Sequence, residues 1–251
     1  MQSRRQKQNE RHAQILQLLE QQERVSVTQL SALLGTTEVT IRSDLSQLEQ
    51  SGKLMRVHGG AVRQQPAQQD STVNLPAKET IAAAVARQIR DGDTLFINSG
   101  TTSVCIARAL KQKHNLNIVT NAVDVALELA DVPTFRVLLL GGEINVQYGF
   151  TYGGDAQEQL RRYQANWAIL SVDGVSSQWG ITTYHAEEAI LDRMMIAGAQ
   201  ATLITADSSK LGRAGFTRIG GCDRTLTLVT EQIAPQLQTQ LCSVGMQVIT
   251  G

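Results

Sequence analysis

The chain is short of several things, and each shortage closes a class of function. It has three cysteines, an odd number, and no C-x-x-C pair. That excludes a disulfide scaffold and a dithiol redox centre; Cys105, Cys222 and Cys242, in apolar surroundings, are expected as buried thiols in a reducing compartment. No second His or Cys stands at ligand spacing from His185, so neither a structural nor a catalytic zinc is expected. No apolar run approaches about 18 residues, so no membrane-spanning helix is expected. The polar, charged first residues do not read as a secretory signal. These absences describe a cytoplasmic chain with no membrane partner, no metal and no cofactor.

Net charge is also missing, but only on average. The formal charge is zero, yet residues 1–63 carry nine Lys/Arg against six Asp/Glu, an excess that the remainder cancels. A small basic region beside a mildly acidic one fits a nucleic-acid reader joined to something that does not touch nucleic acid. An excess this small gives useful affinity only when two copies supply phosphate contacts. At 251 residues the chain can form one large domain or two modest ones.

The most informative stretch is SVTQLSALLGTTEVTIRSDLSQLEQSG, residues 26–52. Val27, Leu30, Leu33 and Leu34 place an apolar stripe on a first short helix, and Gly35 supplies the left-handed residue that helix ends favour. Thr36 or Thr37 can cap the next helix, on which Val39, Ile41, Leu45 and Leu48 are expected to face inward. Thr37, Glu38, Thr40, Arg42, Ser43 and Gln47 then remain outward, with hydrogen-bonding groups that can reach base edges in a major groove. An apolar-patterned segment over 8–21 completes a three-helix core. Behind it, residues 52–63 alternate apolar and basic around Gly59-Gly60, a β-hairpin wing in which Lys53, Arg56, His58 and Arg63 can contact phosphates. Residues 1–63 therefore read as a winged helix-turn-helix that binds double-stranded DNA.

Residues 64–77, QQPAQQDSTVNLPA, read as a solvated linker. From 78 to 251 the texture changes. Strands are expected over 94–98, 117–120, 136–140, 167–172, 201–206, 225–230 and 246–250. Helices are expected over 79–89, 102–111, 123–130, 156–163, 185–199 and 235–244. Continuous apolar strands alternating with helices predict an open, mostly parallel α/β sheet covered on both faces.

In such a sheet ligands bind past the carboxyl ends of the strands. Asn98-Ser-Gly-Thr-Thr102 ends the first strand where a helix begins, a ready anion site or an ordinary cap. Asn121, Gly141-Gly142, Asp173-Gly174 and Lys210 end the next strands; the glycines admit a ligand or merely another strand. Glu187 and Glu188 open the helix from His185, and for Glu188 a favourable place at the helix dipole is the preferred reading. His185 is expected to cap that helix or lie exposed, and Met194-Met195 to be core.

With TEVTIRSDLSQLEQSGKL followed by HGGA, then SGTT, TN, LGGE, VDGV, AEEA and ADSSK in this order, the chain resembles the DeoR family of bacterial sugar-metabolism regulators over essentially its full length. The resemblance implies an N-terminal winged helix-turn-helix and a C-terminal sensor domain similar to sugar-phosphate isomerases. It implies that Ser99, Gly100, Thr101 and Thr102 hold the phosphate of a phosphorylated sugar effector. Asn121, Asp173, Glu187 and Lys210 would meet the sugar's hydroxyl or carbonyl groups, with Asn98, Gly141 and Gly142 on the same rim. Many relatives carry Asp where this chain has Asn98; an amide donates as well as accepts, so the contact there must differ. The expected protein is a repressor of a carbohydrate operon, at least a homodimer, released from its operator by the effector. The competing reading is an isomerase-like enzyme in which Asp173, Glu187 and Lys210 serve as acid, base and cation.

Overall fold

The computed structural model describes residues 4–22, 24–50, 53–57, 59–63 and 73–251. The chain divides into one unit at Met1–Gln68 and another at Gln69–Gly251.

The first unit runs α1 (Arg4–Gln22), β1 (Arg24–Ser26), α2 (Val27–Leu33), α3 (Glu38–Gln50), β2 (Leu54–Val57) and β3 (Gly60–Arg63). The Ser26 side chain caps α2 by accepting from the Gln29 N–H at 3.1 Å, and Gly35 turns the chain at φ +58°. Ile15, Leu19, Val25, Leu30, Ile41, Leu45, Leu48 and Leu54 form its core. The strands make an antiparallel sheet in the order β1-β3-β2. Gly60 is required there, because a Cβ would lie 2.1 Å from the Val25 carbonyl. The helical period fails at two positions: Leu33 is 60% and Val39 76% exposed. Each sits at a helix end facing the turn, outside the triangle that α1, α2 and α3 close.

The second unit begins inside the expected linker. Helix α4 (Leu75–Gln88) starts at Leu75 with Pro76 in its first turn, where a missing N–H costs nothing. Then follow β4 (Thr94–Ile97), α5 (Thr101–Leu110), β5 (Asn117–Thr120), α6 (Val123–Leu129), β6 (Arg136–Leu139), β7 (Glu143–Asn145), β8 (Phe150–Tyr152) and α7 (Gly154–Leu160). The chain continues through β9 (Ala165–Ser171), β10 (Gly174–Ser176), β11 (Gly180–Thr183), α8 (Ala186–Ala197) and β12 (Ala199–Thr205). A 3-10 turn (Ser208–Lys210), β13 (Thr217–Gly220), β14 (Leu226–Thr230), α9 (Pro235–Ser243) and β15 (Gln247–Thr250) complete it.

The main sheet has seven parallel strands in the order β15-β14-β12-β9-β4-β5-β6. Strand alternation splits its side chains between two cores. Leu95, Ile97, Ile118 and Ile169 pack with α4, α5 and α6; Phe96, Val119, Leu170 and Ile204 pack with α7, α8 and α9. Outside the expectation are a β7–β8 hairpin and an antiparallel β10-β11-β13 sheet, both built from three- and four-residue strands. Cys105 is buried as expected, whereas Cys242, on the outer turn of α9, is exposed.

Candidate functional site

Helix α3 is anchored from beneath. Asp44 is buried, and Arg11 donates to it at 3.0 Å while His12 lies at 3.1 Å. Burial alone would raise the Asp44 carboxyl; the hydrogen bonds from Arg11 and His12 outweigh it and hold the pKa below the ordinary value. Above this anchor the Thr37 hydroxyl accepts from the Thr40 N–H at 3.3 Å, capping the helix. Arg42 donates to Glu38 at 3.0 Å, one turn back. Ser43 and Gln47 are exposed on the same helix. Lys53 is exposed at the foot of the wing, and Arg56 donates to the Ser46 hydroxyl at 2.8 Å. His58 lies outside the described residues, as does the Arg63 side chain. Val39 adds an apolar group to this otherwise polar surface.

In the second unit the chain leaves β4 for β5 and β6 on one side, then returns to β9 on the other side of β4. The carboxyl ends of β4 and β9 therefore face a topological switch point, where open α/β sheets bind ligands. The loop after β4 is Asn98 to Gly100, and α5 starts at Thr101 with no side-chain cap on its amino end. Gly100 adopts φ +131°, and a Cβ there would lie 2.9 Å from the Ser171 hydroxyl on the neighbouring strand. Glycine is thus required where the two loops approach.

A connected polar cluster closes this rim. Thr183 Oγ1 lies 3.0 Å from Glu188 Oε2 and 3.2 Å from Asp173 Oδ2, and Ser99 donates to Glu188 Oε1. The Tyr184 N–H also donates to Asp173 Oδ2, at 3.0 Å, while Lys210 Nζ stands 3.6 Å from Asp173 Oδ1. Glu188 is buried, which pushes its carboxyl up to about 7. Asp192, one turn further along α8, is buried too and raised well above the ordinary carboxyl range, by desolvation first and Glu188 second. His185 packs 4.3 Å from the Tyr148 ring and 5.3 Å from Phe150; burial lowers its pKa and keeps it neutral at pH 7.

The structure sorts the expected effector residues. Ser99, Asp173 and Lys210 are joined through Glu188 and Thr183, and Gly100, Thr101 and Thr102 continue from Ser99 into α5. Asn98 does not face out: its amide donates to the Ser171 carbonyl and to Asp192, both at 3.0 Å. Its oxygen accepts from the Ser171 N–H at 2.8 Å and from the Ser103 hydroxyl at 3.2 Å. With every hydrogen-bonding position filled, Asn98 holds the β4 and β9 ends together rather than meeting a ligand. Gly141 gives its N–H to Gln159 at 3.0 Å. A Cβ on Gly142 would meet the Tyr152 carbonyl at 2.4 Å, so that glycine serves a close strand. Asn121 is buried, donating to the Thr151 carbonyl at 3.3 Å and leaving its own oxygen without a partner among the described residues.

The two adjacent acids face different ways. Glu187 is exposed, whereas Glu188 turns inward to Ser99 and Thr183. A signal for this existed: Glu188, Leu191, Asp192 and Met195 fall at i, i+3, i+4 and i+7, the inward stripe of α8. Reading the acids as helix-end charges hid that stripe. Tyr148, in the turn between β7 and β8, and Thr183, in a strand too short to recognise, carried no comparable signal. Among the described residues no group of His, Cys, Asp and Glu could hold a metal ion, and no helix is long and apolar enough to cross a membrane.

Two family models match the chain: a DeoR-like helix-turn-helix domain over residues 11–67 and a DeoR C-terminal sensor domain over residues 73–232. The chain is 33% identical over 239 residues to the glycerol-3-phosphate regulon repressor of Escherichia coli (strain K12), covering 91% of this chain and 93% of that one. It is 31% identical over 232 residues to the HTH-type transcriptional repressor CsqR of the same strain, covering 90% and 89%. Ribose 5-phosphate isomerase A from Methanocaldococcus jannaschii aligns at 13% identity over 55% of each chain with a TM-score of 0.41.

Proposed function

Because this chain belongs to the DeoR family, with the family's helix-turn-helix and sensor domains matched in order, we propose that it represses a carbohydrate-utilisation operon and is released by a phosphorylated sugar. The observation that carries the effector reading is the rim at the β4/β9 switch point. There the amino end of α5, which no side chain caps, follows Ser99, and Ser99 is linked through Glu188, Thr183 and Asp173 to Lys210. A helix amino end with hydroxyls and a cation recognises a phosphate; Asp173 and Asn121 beside it would read sugar hydroxyls.

Repression requires α3 to lie in a major groove, with Lys53 and Arg56 on the flanking phosphates. Two copies would set two such helices on repeated half-sites, so the working form is at least a dimer. The effector must bind the DNA-competent and DNA-incompetent states unequally, and a coupling of about 1–3 kcal/mol changes operator affinity roughly 5- to 150-fold. The isomerase alternative is disfavoured because relatives that match nearly the whole chain are named transcriptional repressors.

Lys210→Ala separates the two activities. This variant should bind operator DNA as the parent does, yet stay bound when a panel of sugar phosphates is added in a mobility-shift assay. Release equal to the parent's would remove Lys210 from the effector site. Turnover of any panel member would restore the enzyme reading.

A further inference from the structure

The Ser99–Glu188–Thr183–Asp173–Lys210 chain is one hydrogen short when both acids are ionised. The Thr183 hydroxyl has a single hydrogen but faces Glu188 Oε2 at 3.0 Å and Asp173 Oδ2 at 3.2 Å. With two carboxylates, one of those contacts would be oxygen against oxygen with nothing between. A proton on Glu188 Oε2 resolves the geometry. Glu188 then donates to Thr183, Thr183 to Asp173, and Ser99 to Glu188 Oε1, with Lys210 balancing Asp173. The same Ser99 hydroxyl belongs to the loop that would hold an anion.

We propose that Glu188 is a binding determinant of the effector rim, and that its carboxyl must carry a proton when an anion occupies the amino end of α5 beside Ser99, whose hydrogen stays on Glu188 Oε1, so that anion binding draws one proton from solution. This rests on the anion site proposed above. The ionised carboxylate, buried against Ser99, would stand as a like charge beside the incoming anion, whereas the acid form removes that repulsion. The proton comes from water or buffer and stays on Glu188, where Thr183 accepts it in a hydrogen bond. Four other titratable groups face this carboxyl. Asp173 comes from the loop after β9 and Asp192 from the next turn of α8. Lys210 lies across Asp173, and His185 heads α8. His185 is kept neutral by burial, and Asp192 is held in its acid form by burial and by Glu188 itself. Burial brings Glu188 to about 7, within reach of physiological pH.

Sulfate is the probe, because it is tetrahedral and does not titrate near neutrality. Its affinity for the full-length protein is measured by calorimetry from about pH 6 to 8.5, in buffers of different ionisation heat so that protons are counted. The parent should lose affinity approaching tenfold per pH unit above about pH 7, with uptake of about one proton at the alkaline end. Glu188→Gln reproduces the acid form, with an amide that donates to Thr183 and an oxygen that accepts from Ser99. It should bind sulfate with no such slope and no proton uptake. Parallel slopes in the two proteins, or no proton uptake by the parent, would overturn the proton link and leave the anion site standing. Sulfate binding absent at every pH, or unchanged in Lys210→Ala, would overturn the anion site and the link together. Should Glu188→Gln not fold, the parent's proton count alone decides.

Discussion

In the helix-turn-helix unit the informative polar residues lie outside: Thr37, Arg42, Ser43 and Gln47 stand on an exposed helix above an apolar core. The sensor unit draws its own inside: Asn98, Ser103, Asn121, Glu188 and Asp192 are all buried at the strand ends. The difference teaches where each unit keeps its specificity. An exposed polar face offers hydrogen bonds to a large partner at small cost in stability. A buried polar cluster must satisfy itself, so changing one member disturbs its neighbours and the fold with them.

The largest expected effect comes from breaking the buried side. Asn98→Asp removes the amide that donates to Asp192 and the Ser171 carbonyl and sets two carboxyls face to face. It should cost about 1–3 kcal/mol of sensor stability, the range for a buried acceptor that loses its donor. Urea unfolding followed by Trp167 and Trp179, both in this unit, measures it. Adding Asp192→Asn should recover a substantial part, because an amide again faces a carboxyl. Additive losses would show that the two residues do not act as a pair.

A second effect is a matter of pH. Glu188 rises from an ordinary 4.5 to about 7 on folding, so the folded sensor keeps this proton to higher pH than the unfolded chain does. Its stabilisation is complete below pH 4.5 and is lost as pH rises through about 7. The shift corresponds to about 3 kcal/mol at most. Glu188→Gln should therefore flatten the fall in sensor Tm between about pH 5 and 8, leaving the part due to Asp192. An unchanged slope would return Glu188 to an ordinary ionised acid.

The same contrast governs how much was legible in the sequence. Residues 26–63 announced their fold because a helical period and a glycine turn are local signals. The parallel sheet was equally plain, since its continuous apolar strands have no other use. The rim was half legible. Ser99 to Thr102, Asp173 and Lys210 sit at strand ends, where topology alone puts them. Glu188 was misjudged beside Glu187 because two adjacent acids at a helix start look equivalent until a helix phase is imposed. Asn98 looked like a ligand contact, but its four side-chain hydrogen bonds go to Ser103 on α5 and to Ser171 and Asp192, the last two distant in sequence. The β7–β8 and β10–β11 hairpins are too short for a period-2 pattern to register.

Smaller effects are expected on the outer surface. Arg42→Ala should weaken operator binding by about 1–3 kcal/mol if Arg42 reads a base. Stability should hardly change, because the exposed Arg42–Glu38 pair contributes at most about 1 kcal/mol. A mobility-shift titration with unchanged affinity would remove Arg42 from the recognition set.

The smallest effect tests whether that surface is polar throughout. Val39, 76% exposed in the first turn of α3, has nothing to bury against within its own unit. In a major groove the complementary feature is the thymine C5-methyl group, the apolar mark on a base edge. Removing the two Val39 methyls should cost about 1 kcal/mol in binding, near the value of a buried methylene. An operator selected from random DNA, with single thymines replaced by uracil, locates the contact. At one position the parent should lose with uracil what Val39→Ala has already lost, and the two changes together should cost no more than either alone. If every uracil substitution affects the two proteins equally, Val39 touches no thymine methyl. The outer face of α3 would then select its operator by hydrogen bonds and shape alone.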